Sequence, residues 1–445
     1  MPSERYVLLG LAQVRSAWFR EVSRWATAAA LPIEFLKTMS VEEVRVRLRS
    51  GRGYSALLID DSMAGLDRDL VDSAREVGCA VIVVDGGRSA TLWADLGASA
   101  LLPSDFGQGE LLQVLGQVST PVARSDDNLV EVAPAVPSAG GFRGRLIAVT
   151  GPGGAGRSTV AMAVAQGLAA DPRHAELVCL ADLALHADQA MLHDALDVVP
   201  GVVELIEAHR SGTPTVDSVR ALTWRVQGRG YHLLLGLRRH RDWTSIRPRA
   251  LEAAIDSLRR GFRMVVADTD DDLEGERHTG SLDVEERNAM ARTVASAADL
   301  VVAVGSPGMH GVHGLLRVVR DLLDHGVSGA RIVPVINRSP RSPRARAELA
   351  RAFGELLAAG GTDLEVPSPI HLAERRRLDD LLRDGARLPD GWIAPVCAPV
   401  MALVERQVTA AHAPVVPEPV AVAPGTLGSW SEQDGDGDIA AGGVG

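Results

Sequence analysis

One segment, Leu146–Leu168 (LIAVTGPGGAGRSTVAMAVAQGL), restricts the fold more than any other. Leu146–Thr150 is a β-branched and apolar run that reads as a buried strand. Gly151–Arg157 is a glycine-rich loop, and Ser158–Leu168, rich in Ala, Val and Met, reads as a helix. A strand that feeds a helix through glycines makes a phosphate cradle. Glycine lets successive backbone N–H groups turn toward one anion, and the helix N-terminus adds partial positive charge. The bland alternative is a glycine turn joining a strand to a helix; the strand–loop–helix context favours phosphate.

Against the pattern G-x-x-x-x-G-K-[ST], Gly151 and Gly156 supply the glycines and Ser158 the hydroxyl, while Arg157 stands at the lysine position. Lys37, far upstream, is the one lysine of the chain, so no other lysine can take over. Arginine keeps the charge but is a planar fork, where lysine is a compact ammonium. Anion binding is therefore expected to survive better than catalysis.

A chain of 445 residues is too long for one core and implies two or three domains. With 46% hydrophobic and 23% charged residues it has the composition of a soluble globular protein, and only 4% aromatics means cores of Val, Leu and Ala. The net charge of −11 argues against broad nucleic-acid binding but leaves room for a local basic patch. Cys79, Cys179 and Cys397 are isolated and fit buried thiols in a reducing cytoplasm. The N-terminal apolar run is too short for a signal peptide. Leu300–Leu316 is uncharged but broken by Pro307, glycines, His310 and His313, so no transmembrane segment is expected.

Residues 4–118 alternate strand-like runs (Tyr6–Ala12, Ile33–Leu36, Ala56–Ile59, Ala80–Val84, Ala100–Leu102) with helix-like ones (Ser16–Ala30, Val41–Ser50, Leu70–Glu76, Thr91–Leu96, Gly109–Val118). Such alternation points to a small doubly wound parallel sheet. Its order resembles a response-regulator receiver domain, with Asp60 of LLIDDSMAGLD at the phospho-acceptor position. The receiver's acidic pair is replaced by LAQV and its late lysine by Ser104, so the likeness implies a degenerate receiver used for docking protein partners. On the residues alone, Asp60 reads as a strand-end or capping carboxylate. Pro121–Gly144 is a Pro-, Ala-, Gly- and Ser-rich linker, and the tail from Ala411 is similar in composition and expected to be disordered. The fold class expected is α/β: two doubly wound parallel-sheet domains, 1–120 receiver-like and 145–410 of phosphate-loop type, joined by a linker (121–144) and followed by a tail (411–445).

In the larger domain, strands are expected at Leu146–Thr150, Glu176–Leu180, Tyr231–Leu235, Met264–Ala267, Leu300–Val304 and Arg331–Ile336. Asp182 follows one of them: it is either a carboxylate for Mg²⁺ or attacking water, or a strand-end cap. Met264–Ala267 ends in Asp268, a carboxylate placed to hold the shell of a metal, whereas Asp270, Asp271 and Asp272 read as a solvated acidic loop. Asn337 closes a strand; its amide can pair with a purine edge, though asparagine also caps turns.

The order of these pieces resembles the ParA/MinD family of P-loop ATPases, over about Gly144 to Gln407, and with the receiver-like front it is most similar to its CpaE-like (TadZ-like) branch, which includes actinobacterial septum-site regulators. PSPIHLAERRRLDDLLRDGARLP is similar to the family's late proline-containing loop. The resemblance implies a homodimer sandwiching ATP, with Gly151, Gly153, Gly154, Ala155, Gly156, Arg157, Ser158 and Thr159 around the phosphates, Asn337 at the base, Ser158 and Asp268 for Mg²⁺, and Arg157 and Asp182 in catalysis. It also implies a spatial organiser of a Tad/Flp pilus or secretion apparatus or of the division septum, cytoplasmic and recruited to the pole, septum or inner membrane face. The chain departs from the family in placing Pro152 where a lysine crosses to the partner, Leu180 at the first aspartate of D-x-D, and Asp270 after Asp268-Thr269. These departures weaken ATP hydrolysis and leave a nucleotide-independent scaffold as the alternative reading. Two arginine-rich stretches, Leu237–Arg249 and Arg338–Arg351, raise a DNA-binding partition factor as a second alternative, against which stands the reading of solvated surface charge. Pro399–Val408, short and near charge balance, reads as a packing helix rather than a membrane anchor.

Overall fold

Continuous apolar runs become parallel strands buried on both faces, and a computed structural model of the chain shows two such sheets. It describes residues 5–13, 15–87, 93–122, 142–195, 199–359, 365–383 and 385–411. Most of the expected linker and the tail beyond Ala411 lie outside the described residues.

The first sheet contains β1 (Tyr6–Leu11), β2 (Ile33–Thr38), β3 (Ala56–Asp60), β4 (Ala80–Asp85) and β5 (Ala100–Pro103), with helices α1 (Ala17–Thr27), α2 (Val41–Arg49), α3 (Arg68–Glu76) and α4 (Gln108–Val118). All its strands are parallel, in the order β2-β1-β3-β4-β5. That is the doubly wound order expected from the alternation. One element differs. The helix expected over Thr91–Leu96 is, from Trp93 on, a single hydrogen-bonded turn, closed by Gly97 N–H to Ala94 O and Ala98 N–H to Trp93 O. Trp93 and Leu96 already plug the core from that turn, and Gly97 at φ +92° ends it.

The second part comprises β6 (Arg145–Thr150), α5 (Arg157–Ala169), β7 (Val178–Asp182), α6 (Gln189–Leu192), α7 (Val202–Ser211), α8 (Val216–Ala221), β8 (Trp224–Val226), β9 (Tyr231–Leu234), α9 (Pro248–Gly261), β10 (Met264–Asp268), α10 (Glu276–Thr279), α11 (Leu282–Arg287), α12 (Ala289–Ala297), β11 (Leu300–Gly305), α13 (Met309–Asp324), β12 (Ile332–Ser339), α14 (Pro343–Ala358), β13 (Ile370–Ala373), α15 (Leu378–Arg383) and α16 (Asp390–Ala411). The sheet order is β13-β12-β11-β6-β10-β7-β9-β8. Every pairing is parallel except β8 on β9, an antiparallel edge that the expectation of a purely parallel sheet missed. The turn between them carries Gly230 at φ +79°, which a tight reversal needs.

Alternation along β6 divides the core. Leu146 and Ala148 face the layer of α7, α9, α12 and α13, while Ile147 and Val149 face α5 and α16. Helix α5 is buried nearly all round, and its small residues let α16 approach closely: a Cβ on Gly167 would strike Cys397 Sγ. The helix expected at Pro399–Val408 is thus the end of a longer one, which contains Pro395 and Pro399. Among the described residues no helix is long and apolar enough to cross a membrane. The three cysteines are buried thiols.

The two sheets meet through α3. The Asp69 carboxylate accepts from Arg249 N–H at 3.0 Å and Ala250 N–H at 3.3 Å, capping the first turn of α9, whose own N-cap Arg247 offers no side-chain hydrogen bond. Arg68 donates back to His209 O and Gly212 O.

The α5–α16 contact makes a packing prediction. Gly167→Ala is expected to cost about 1–3 kcal/mol in a denaturant titration, because the new methyl meets Cys397. Adding Cys397→Ala should recover part of that loss in a double-mutant cycle, and strict additivity would show that the two residues do not press on each other.

Candidate phosphate-binding site

The loop after β6 is shaped by contacts that only glycine permits at two points. A Cβ on Gly151 would strike Val304 O of the neighbouring strand, and Gly156 sits at φ +85° where a Cβ would strike Asn337 Nδ2. Gly153 and Gly154 form the exposed crest, with open space where a Cβ would be and Gly154 at φ +79°. Ala155 is buried, and its N–H closes a turn on Pro152 O. Helix α5 then starts at Arg157 with Gly156 as N-cap and no side-chain cap. Its first-turn amides at Arg157, Ser158 and Thr159 therefore lie at a dipole end that suits an anion.

The carboxylates come from strand ends. Register pairs Asp268 with Asp182 on one side and Val149 on the other. Two fully buried aspartates thus lie side by side behind the loop. Burial pushes the Asp182 carboxyl well above its ordinary range, and the neighbouring Asp268 charge pushes it further. Asp268 is also pushed up by burial, against the pull of Arg157 and of hydrogen bonds from Gln189 and Ser158. Asp182 accepts from Gln189 N–H at 2.9 Å and from Ala184 N–H at 3.4 Å, so it caps the turn after β7. That is the capping geometry, one of the two readings open to it from sequence.

Arg157 fills the space between the carboxylates. Its Nε lies 2.9 Å from Asp268 Oδ1 and its Nη1 donates to Asp270 Oδ1 at 2.9 Å. The Nε contact is one of charge, since the N–H is not aligned on that oxygen. Burial lowers the guanidinium pKa, but Asp268 and Asp270 more than offset this, leaving it raised. Asp270 also accepts from Leu185 N–H at 2.6 Å. It is therefore part of the site, which corrects its reading as solvated loop: a guanidinium in reach makes a half-buried carboxylate favourable. Asp271 and Asp272 are ion-paired with Arg317 and Arg287.

Two further side chains tie the site together. Gln189 Nε2 donates to Asp268 Oδ2 at 2.7 Å and to Ser158 O at 3.1 Å. Nothing in the sequence pattern singled it out. Asn337 Nδ2 donates to Ala155 O at 2.9 Å and so braces the loop, while its Oδ1 accepts from the N–H of its neighbour Arg338. Arg338, at φ +53°, donates from Nη1 to Gly154 O at 3.1 Å on the loop rim. Thr159 is half-buried in the first turn of α5.

The residues expected to hold Mg²⁺, Ser158 and Asp268, do lie together. The donor set nevertheless does not fit the ion. Asp268 Oδ1 takes no hydrogen bond but lies 2.9 Å from the Arg157 guanidinium, and Oδ2 accepts an amide N–H, so a metal would meet a positive charge at one oxygen and a donor at the other. Among the described residues there is no cluster of three or more His, Cys, Asp or Glu suited to a metal.

The other singled-out groups have structural partners. Asp60 accepts from Ser16 Oγ, Trp18 Nε1 and Ser62, tying β3 to the start of α1. Burial opposes its charge, but those donors win and hold its pKa below the usual range. In the arginine-rich stretches, Arg238 pairs with Glu204, Arg249 with Glu252 and Glu76, Arg344 with Glu348 and Arg351 with Glu355.

No family model matches the chain, and no curated protein matches it in sequence. Among solved structures it is similar to a putative plasmid partition protein from Borrelia burgdorferi bound to AMPPNP, at 15% identity over 60% of this chain and 100% of that one, with a TM-score of 0.42. It is also similar to the cell division ATPase MinD of Pyrococcus furiosus, at 18% identity, covering 58% and 99% of the two chains, TM-score 0.43. A third is the septum site-determining protein MinD with Mg-ADP from Pyrococcus horikoshii, at 18% identity, covering 60% and 97%, TM-score 0.41. At these values the chemistry of the site rests on this chain's own residues.

The elevated Asp182 pKa has a measurable sign. A raised carboxyl pKa means the folded protein keeps a proton that the unfolded chain releases, so stability falls as pH rises from about 4 through the folded value. Each unit of elevation amounts to about 1.4 kcal/mol. Asp182→Asn should flatten the decline of unfolding free energy as pH rises above about 4; parallel curves for variant and parent would refute the elevation.

Proposed function

We propose that the chain is a nucleotide-binding protein of ParA/MinD type, with little or no ATPase activity, that acts as a spatial organiser of a larger assembly. The observation that supports this reading most directly is the glycine loop between β6 and α5, with uncapped helix amides at its base and a cation on either side, Arg157 and Arg338. Such a pocket suits a polyphosphate. Weak turnover follows from Arg157, which is held by Asp268 and Asp270 and not aimed across the loop, and from Asp182, which is engaged by backbone amides. A homodimer through the nucleotide face, a docking role for the receiver-like domain, and placement of a pilus, secretion or septum apparatus at the cytoplasmic side of the membrane belong to the same reading. The hydrogen-bonded setting of Asp60 supports docking over phosphotransfer.

The second reading, a nucleotide-independent scaffold, is favoured by the same ion pairs if they never open. DNA binding is favoured less, since the glutamates of α14 neutralise Arg344 and Arg351 within their own helix.

Equilibrium titration with ATP separates the first two. Saturable binding at or below about millimolar ATP is expected. Gly154→Val adds a side chain into open space but strains a positive φ, so it should weaken ATP about tenfold while costing folding about 1–2 kcal/mol. No saturable binding by the parent chain would leave the scaffold reading.

A further inference from the structure

The carboxylates of this site already face a cation supplied by the chain itself. Asp268 and Asp270 are each 2.9 Å from a nitrogen of one guanidinium, and Asp268's other oxygen takes an N–H from Gln189. A planar fork suits this arrangement: Nε and Nη1 diverge to two different carboxylates from separate nitrogens, where an ammonium would have to reach both from one atom. The Arg157 side chain is only 12% exposed and Asp268 1%, so little water screens the pairs. A divalent ion brought to the same oxygens would meet the guanidinium at contact distance in a poorly solvated pocket. Repulsion there is strong, and removing either partner would leave a buried charge unpaired.

A second arginine stands on the opposite side of the loop. Arg338 reaches the Gly154 carbonyl from an exposed position, and its backbone holds φ +53°, a conformation that costs a residue with a Cβ on the order of 1 kcal/mol. Asn337 accepts the Arg338 N–H and so fixes that backbone. The exposed guanidinium is thereby delivered to the rim of the phosphate loop, where Pro152 supplies no charge of its own.

We infer that this site works with two guanidiniums in place of a divalent metal: Arg157 is the resident cation for Asp268 and Asp270, Arg338 is the outer cation for the ligand, and a nucleoside triphosphate binds free of Mg²⁺. The inference rests on the nucleotide reading above for its ligand, while the role of Arg157 toward the carboxylates stands separately. Nucleotide contacts then come from the loop amides, the first turn of α5 and Arg338.

Two titrations of the full-length chain test it. In the first, Mn²⁺ alone is followed by loss of its free-ion electron paramagnetic resonance signal. The parent chain should take up no Mn²⁺ saturably, and Arg157→Ala should take it up, because the vacated carboxylates then face each other unpaired. Arg157→Lys, which keeps a charge but must serve both carboxylates from a single flexible nitrogen, serves should the alanine variant fail to fold; it should bind Mn²⁺ detectably but more weakly than the alanine variant. In the second, ATP is titrated with Mg²⁺ or with EDTA. The parent affinity should agree within about twofold in the two media, and Arg338→Gln should weaken it about tenfold in both. Uptake of Mn²⁺ by the parent, or ATP binding more than about tenfold weaker in EDTA, would overturn the inference. Failure of the parent to bind ATP in either medium, with Mn²⁺ uptake still gained by the Arg157 variants, would instead sink the nucleotide reading and uphold Arg157 as the resident cation.

Discussion

Two parallel strands that end in aspartate at the same level create a problem of charge, and the architecture around the loop is arranged to solve it. Pairing β7 with β10 sets Asp182 against Asp268 in full burial. Neither can be ionised cheaply there without a positive partner. One answer is to favour the neutral carboxyl, the direction in which burial and the neighbouring Asp268 charge push Asp182. The other is the Arg157 fork, which Asp270 helps to hold from the adjoining loop. Gln189 joins the two solutions, giving its backbone N–H to Asp182 and its side-chain amide to Asp268. Loop, strand ends and first helical turn are in this way one electrostatic unit.

Much of the scaffold was legible because it depends on local rules. Apolar runs bounded by Gly or Asp marked most of the long strands of the larger sheet, and glycines at 151 and 156 marked a loop whose backbone excludes a Cβ. What was not legible depends on neighbours distant in sequence. Asp270 looked like one of several solvated carboxylates because nothing beside it announces a guanidinium from position 157. Gln189 sits in a helix of only four residues, too short for a periodic pattern. Asn337 suggested a base contact from its chemistry, yet its Nδ2 is given to the loop carbonyl of Ala155 and its Oδ1 to the N–H of Arg338. The edge strand β8 and the short β13 carried too few residues to stand out.

The same limit applies between the sheets. Composition divides the chain at Pro121–Gly144, and the two sheets do have separate cores. No feature of the sequence pointed to Asp69 as a partner of α9, because it lies 180 positions from the amide it accepts. A carboxylate inside α3 read as an ordinary polar position; in the fold it is a cap borrowed by another helix. Burial raises its pKa, and the two amides pull the other way, so the contact is a polar one made in a poorly solvated seam.

That borrowed cap separates the covalent map of the chain from its energetic map. A fragment cut between the two sheets would start α9 with bare amides at Arg249 and Ala250 and lose a contribution of about 1 kcal/mol at its first turn. Arg68 would part from the carbonyls of His209 and Gly212 in the same cut. The smallest piece that keeps every one of these groups satisfied therefore runs through both sheets, and the seam belongs to the interior of the protein rather than to its edge.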